Sequence, residues 1–266
     1  MRVTHAMLSA LCGASLLTTP LSATVQNVMP GPGGTSTDST HIDAAAVLIM
    51  NRMVGLIGSL TSVSYILHTS NDVQDPDYGT IARFGTHQVS MTGPDQMLVN
   101  TVNDQRHVGY WYDGQQVVYY SFTDNTYGVM DAPDNIMATI EQIHAEYGVD
   151  FPAADFFYPS FTDDLVDHST RIDYLGIVQM EGKECFRIVA RGKDQTVQLW
   201  IANDAAFLPV KYIITDHTKG NAQFQGTFTE WRLNPDIPEA FYEFSPPPGA
   251  SPLYILPRTT NPEMGE

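Results

Sequence analysis

Residues 194–233, DQTVQLWIANDAAFLPVKYIITDHTKGNAQFQGTFTEWRL, decide the fold: they read as three consecutive antiparallel strands. Val197, Leu199 and Ile201 alternate with Thr196, Gln198 and Trp200, the period-two pattern of a strand with two different faces. Asn203-Asp204 supplies a turn, because short Asx side chains hydrogen-bond their own backbone and tolerate left-handed dihedrals. The chain resumes at Leu208 and continues to Thr215; Pro209 lacks an amide donor and belongs at a strand start or on an edge. A second turn at Thr218-Lys219-Gly220-Asn221 leads into Gln223 to Trp231, where Phe224, Thr227 and Thr229 favour extended backbone. On these residues alone the stretch is a plain antiparallel sheet. It holds no nucleophile–base pair, no metal-ligand cluster and no phosphate loop.

The same residues carry a resemblance. A strand ending in Leu199-Trp200-Ile201, an acidic turn at Asp204 and then Leu208-Pro209-Val210-Lys211 is similar to the signature of lipoprotein-carrier-like proteins. Those are periplasmic half-barrels that ferry lipoproteins or sense hydrophobic ligands. Tyr112-Asp113-Gly114, Asn125-Thr126-Tyr127, Ala132-Pro133-Asp134, Tyr147-Gly148 and Phe244-Ser245-Pro246-Pro247-Pro248-Gly249-Ala250, in that order, resemble an uncharacterised family of predicted periplasmic proteins, a domain of unknown function. The resemblance runs from about residue 42 to about residue 252 and implies a fold and a compartment. It brings no established activity with it.

The N-terminus points to export independently. Arg2, an apolar run from Ala6 to Leu17 and Pro20-Leu21-Ser22-Ala23 follow the order of a secretory signal peptide, with cleavage expected after Ala23. The run is far short of the ~20 residues that span a bilayer, so no transmembrane segment is expected after cleavage. Cys12 falls within the discarded peptide, which leaves Cys185 alone and precludes an intramolecular disulfide. Its strand setting, Lys183 to Val189, reads as a buried structural thiol. Removing residues 1–23 takes one arginine and no acid from a net charge of −17 and leaves −18. So acidic a surface repels nucleic acid and anionic head groups, and neither is an expected partner.

Residues 24–40 are dense in Gly, Pro, Ser and Thr and read as a flexible leader. Ile42 to Leu60 has helical spacing, with Thr40 as N-cap and Asp43 three residues on. Strands follow from Val63, and Asp113-Gly114 between two alternating runs marks a hairpin rich in tyrosine and tryptophan. Such side chains suit either cross-strand packing or a cavity wall. Asp131-Ala132-Pro133 opens a second helix with the stripe Ile136, Ile140, Ile143, Tyr147, ended by Gly148. Short helical pieces are expected over Pro152 to Tyr158 and Asp163 to His168 before strands resume at Arg171.

No GxSxG elbow and no HxH or HExxH spacing occurs, and the Glu141/His144 and Asp167/His168 pairs read as solvated helix faces. No catalytic residue, metal ligand or cofactor is therefore assigned. The expected architecture is α+β: a curved antiparallel half-barrel of about ten strands, lipoprotein-carrier-like, with helices covering its concave side. The domain is placed at residues 41–252, ahead of an extended tail at 253–266. Tyr65, Tyr110, Tyr112, Tyr119, Met137, Ile140, Phe157 and Trp200 are the candidate ligand-lining residues. The favoured reading is a periplasmic, non-enzymatic protein that binds a lipid or other hydrophobic ligand. An envelope protein partner, with no small ligand, and an uncharacterised hydrolase stay open as alternatives.

Overall fold

Alternation of apolar and polar residues dictates most of the chain, and in the computed structural model, which describes residues 40–258, that alternation becomes a single sheet. In chain order the elements are β1 (His41–Ile42), α1 (Ala44–Gly58), β2 (Ser62–Asp75), β3 (Gly79–Thr92), β4 (Gln96–Asn103), β5 (His107–Tyr112), β6 (Gln116–Ser121) and β7 (Thr126–Asp131). There follow α2 (Ile136–Tyr147), a 3-10 turn (Ala154–Phe157), α3 (Phe161–Asp167), β8 (Ser169–Met180), β9 (Lys183–Gly192), β10 (Gln195–Ala202), β11 (Pro209–Asp216), β12 (Ala222–Leu233) and β13 (Ser251–Pro252). The expected signal peptide, nearly all of the leader and the end of the tail lie outside the described residues.

The sheet has 13 strands in the order β1-β8-β9-β10-β11-β12-β2-β3-β4-β5-β6-β7-β13. Two antiparallel meanders, β2 to β7 and β8 to β12, are stitched together by the pairing of β12 with β2. The sheet is curved and does not close. Thirteen strands replace the ten expected, and the three unread ones explain themselves. β1 and β13 are two-residue parallel pairings at the sheet's ends, too short to show any period. β7 (TYGVMD) is short, broken by Gly128, and buries only Gly128 and Met130.

The first helix also starts later than its spacing suggests. Ile42 is spent on β1, and Asp43, not Thr40, is the N-cap, its carboxylate accepting from the Ala45 amide at 2.8 Å. The other oxygen accepts from the Tyr174 amide at 3.3 Å, tying the helix start to β8. The second helix opens at Ile136 with Asn135 as cap, not at Pro133. It stops where expected, on Gly148, whose φ of 64° is left-handed.

All three helices lie on the concave side. Ala46, Met50 and Met53 of α1, Ile140 and Ile143 of α2 and Phe161 and Leu165 of α3 share one core with Leu67, Val99, Ile188 and Leu199 of the strands. The segment between α2 and α3 fills the middle of the concavity. Among the described residues no helix is long and apolar enough to cross a membrane.

Candidate functional site

Residues directly opposite in a sheet share a face, so register decides which side chains reach the concavity. One row runs across β2 to β6 as Tyr65, Val89, Val99, Tyr110 and Tyr119. The row below it runs Val63, Met91, Met97, Tyr112, Val117 and Met130. In the other meander Ile188, Leu199, Tyr212 and Gly226 are successive partners, beside Val197, Ile214 and Phe224. Gly226 is required there: a Cβ would fall 2.2 Å from the Tyr212 ring, which lies across the neighbouring strand.

Over this apolar face lie α2 and the segment 149–157. Ala153 turns the segment with a left-handed φ of 69°. Phe156 then inserts edge-on to Tyr212 at 5.3 Å and to Phe228 at 5.5 Å. Phe157 stacks on Tyr65 at 5.9 Å, and Phe151 meets Tyr110 edge-on at 5.2 Å. The fit leaves a gap on each side of the segment. One cavity, of about 20 Å³, is lined by Tyr65, His87, Val89, Met91, Met97, Val99, Met137, Ile140, Phe151, Pro152, Ala154 and Phe157. The other, of about 30 Å³, is bounded by His144, Val149, Asp150, Ala153, Asp155, Phe156, Tyr212, Ile214 and Phe224, and shares Ile140, Phe151, Pro152 and Ala154 with the first. Each holds about one or two waters and no more.

A few polar groups punctuate these walls. His87 bonds the hydroxyls of Thr101 at 2.9 Å and Thr69 at 3.1 Å, and burial, with His68 and Arg106 adding to it, lowers its pKa to about 4. It is a neutral imidazole at physiological pH. Burial pushes the Asp155 carboxyl up to about 7, and the Asp164 and Asp150 charges push the same way. Asp150 is raised by burial as well, against the pull of His144, whose Nδ1 lies 2.8 Å from it. The Tyr110 phenol is raised to about 12 by burial. Tyr212 is 3% exposed, and its hydroxyl has no hydrogen-bond partner among the described residues. The walls thus offer hydrocarbon contact with isolated hydrogen-bonding points. Among the described residues no group of three or more His, Cys, Asp or Glu is placed to hold a metal ion.

Of the sequence candidates, Tyr65, Met137, Ile140 and Phe157 line the first cavity together. Tyr110 and Tyr119 extend the Tyr65 row, with rings 5.5 Å apart, and Tyr110 reaches the cover through Phe151. Tyr112 is on the same face but turned under α2, where its hydroxyl donates to the Pro133 carbonyl. Trp200 is not brought to this site. Its neighbours Leu199 and Ile201 face the concavity, so strand alternation sends Trp200 to the convex side, against Cys185, Ala202 and Val210 and under the Arg187 guanidinium at 5.6 Å. Cys185 is itself fully buried in that small cluster, its thiol raised by burial. Of the two acid–base pairs, His144 turns to Asp150, and His168 Nδ1 lies 2.7 Å from the Asp164 carbonyl. Sequence reasoning missed His87, Phe151, Asp155 and Tyr212. Alternation through Thr86–Met91 and Pro209–Ile214 was a usable signal for the two strand residues. Phe151 and Asp155 sit on irregular chain, where no period exists.

A family model for predicted periplasmic proteins, DUF2092, matches residues 46–256. The chain belongs to this family. Its description as predicted periplasmic agrees with the compartment read from the sequence. No curated protein matches the chain. Among solved structures, the chain is similar to a conserved protein from Thermus thermophilus, at 12% identity, with 79% of this chain and 99% of that one covered and a TM-score of 0.47. The lipoprotein LppX from Mycobacterium tuberculosis is 16% identical over 74% of this chain and 99% of its own, with a TM-score of 0.45. A LolA superfamily protein from Nitrosomonas europaea is 12% identical over 75% and 97%, with a TM-score of 0.32.

Proposed function

We propose that this DUF2092 protein binds a hydrophobic ligand, a lipid or a lipid moiety, between the concave sheet face and the 149–157 segment. The supporting observation is the pair of cavities that flank one segment and share Ile140, Phe151, Pro152 and Ala154 as a common wall. Protein interiors are close-packed, so two gaps on either side of one short irregular stretch mark the place where the packing yields most easily. An acyl chain enters by displacing Phe151 and Phe157 from the aromatic row and taking over their contacts with Tyr110 and Tyr65. Each methylene so buried contributes about 0.8 kcal/mol, which offsets the loss of the ring contacts within a few carbons.

Native mass spectrometry of the protein purified from an envelope fraction, with solvent extraction of whatever accompanies it, tests this reading. A stoichiometric lipid is the expected result. A bare mass, together with no uptake of the neutral fluorophore N-phenylnaphthylamine, would overturn it.

A further inference from the structure

The concave row that runs from Tyr65 through Val89, Val99, Tyr110 and Tyr119 ends on Gly128 of β7, which has no side chain to continue it. The end of the chain continues it instead. A Cβ on Gly128 would project to the same side as Tyr119, its partner across the strands, and would fall 2.5 Å from Ile255 Cδ1 and 2.9 Å from Leu253 Cδ1. Both side chains therefore lie on the concave side, and Ile255 packs against the main core. Tyr254 and Leu256, which alternate with them, face solvent at 97% and 81% exposure. Residues 253–258 thus form a strap with an inward and an outward side. At one end the Leu253 amide donates to the Tyr127 carbonyl at 2.7 Å. At the other the Arg258 guanidinium takes the place that a Cβ on Gly148 would need, with its amide donating to the Glu146 carbonyl and its Nη2 to the Gly148 carbonyl.

We infer that this strap is the gate of the concave site: a hydrophobic ligand enters at the β7 edge, beneath residues 253–258, and passes along the tyrosine row to the cover. The inference rests on the hydrophobic-ligand reading above and adds its route and its control. Contact is continuous along that route. Tyr119 is the strand partner of Gly128, its ring lies 5.5 Å from that of Tyr110, Tyr110 meets Phe151 at 5.2 Å, and Phe151 borders both cavities. The two ends of the cover are also unequally held. Its far end is fixed by Phe156, which is 1% exposed, stacks on Phe161 at 4.9 Å and inserts against Tyr212 and Phe228. Its near end follows Gly148 directly, where the strap is seated by half-buried Leu253 and Ile255 and by hydrogen bonds at the surface. Phe151, the first ring of the cover, is itself half-buried. Local opening begins where the fewest buried contacts must be broken, and that is the strap end.

The test is the rate at which the full chain takes up and releases N-phenylnaphthylamine, followed by stopped-flow fluorescence alongside the equilibrium affinity. Ile255→Ala shortens the inward side chain and should speed uptake and release alike by about five- to tenfold, with the affinity changed by less than about twofold. Tyr254→Ala, one residue away on the outward side, should leave both rates as they are in the parent protein. Phe244→Ala, which loosens the convex cover, should leave them unchanged as well, whereas general loosening of the fold would speed uptake in this variant too. Uptake by Ile255→Ala at the parent rate, or equal acceleration by Tyr254→Ala or Phe244→Ala, would overturn the gate while the ligand site itself stands. No uptake by the parent or by any of the three variants would remove both.

Discussion

The sheet has two aromatic surfaces, each under a cover, and the covers differ in kind. On the convex side Trp111, Tyr120 and Tyr127 are roofed by Phe244 from the end of the chain, at 5.0, 5.4 and 5.7 Å. Two hydroxyls beside it are matched: the Tyr120 hydroxyl donates to Asn125 Oδ1 at 2.7 Å, and the Tyr242 hydroxyl lies 2.8 Å from that of Thr92. On the concave side the 149–157 cover leaves cavities on both flanks, sits above a Tyr212 hydroxyl that has no partner among the described residues, and carries a half-buried carboxyl with a raised pKa. Aromatic richness is common to both surfaces and so does not identify a site. Mismatch between a cover and what it covers does.

Truncating each cover is the sharpest way to break that comparison. Phe156→Ala removes a ring that is 1% exposed and packs on Tyr212, Phe228 and Phe161. It should cost about 3–5 kcal/mol in urea unfolding and increase uptake of N-phenylnaphthylamine. Phe244→Ala, from a half-buried position, should cost about half as much and leave uptake unchanged. Equal uptake by the two variants would erase the distinction between the covers. Trp200→Ala comes next in size: loss of a ring that is 5% exposed should cost about 2–4 kcal/mol, again with no change in uptake, because it lies on the convex face.

Titration gives a third and smaller contrast, between two groups under the same cover. The His87 pKa is depressed from 6.5 to about 4, so the unfolded chain binds the proton more readily between those values, and His87 contributes stability that rises with pH across the window. The Asp155 pKa is raised from 3.8 to about 7, so the folded state holds the proton more tightly, and its contribution falls as pH rises from about 4 to about 7. The two slopes oppose each other below pH 6.5 and nearly cancel. Asp155→Asn should unmask the histidine: relative to the parent protein, its stability should climb by on the order of 2 kcal/mol between about pH 4 and 7. Thermal unfolding across that range measures it, and a difference that is flat or falling with pH would mean that the carboxyl is not buried under the cover as described.

These contrasts also show what was legible in the sequence. The ten strands from β2 to β6 and β8 to β12, the Asp113-Gly114 hairpin and the stop at Gly148 follow from side-chain period and from backbone chemistry, which act locally. Trp200 shows the limit. Its strand was evident, but the face it presents depends on which neighbours face inward, and a shift of one residue reverses every side chain. The polar members of the site were illegible for a different reason. His87 reads as one of eight scattered histidines and Asp155 as one of 30 acids. Only the fold, by burying them beside Thr101 and Tyr212, gives them altered chemistry.

The smallest expected effect concerns how the concave cover is fastened. Beyond β13 the chain runs on with the Leu253 amide donating to the Tyr127 carbonyl at 2.7 Å, then reaches the C-terminal end of α2. There the Arg258 amide donates to the Glu146 carbonyl at 2.6 Å and its Nη2 to the Gly148 carbonyl at 3.2 Å. These carbonyls belong to the last turn of the helix and the residue that caps it, where a cation is also favoured by the helix dipole. Arg258→Ala removes the side-chain bond and the charge but keeps the backbone bond, so the strap stays attached, and the loss should be no more than about 0.3–1 kcal/mol. That is too little to move global unfolding appreciably. It acts, however, at the hinge end of the 149–157 cover, beside Asp150, on which Arg258 exerts a charge effect. Hydrogen exchange should therefore accelerate over residues 144–157 while β5 and β6, whose outward residues lie under Phe244, keep their protection. Acceleration spread evenly over both covers would mean that the strap steadies the whole sheet edge and has no particular hold on the concave side.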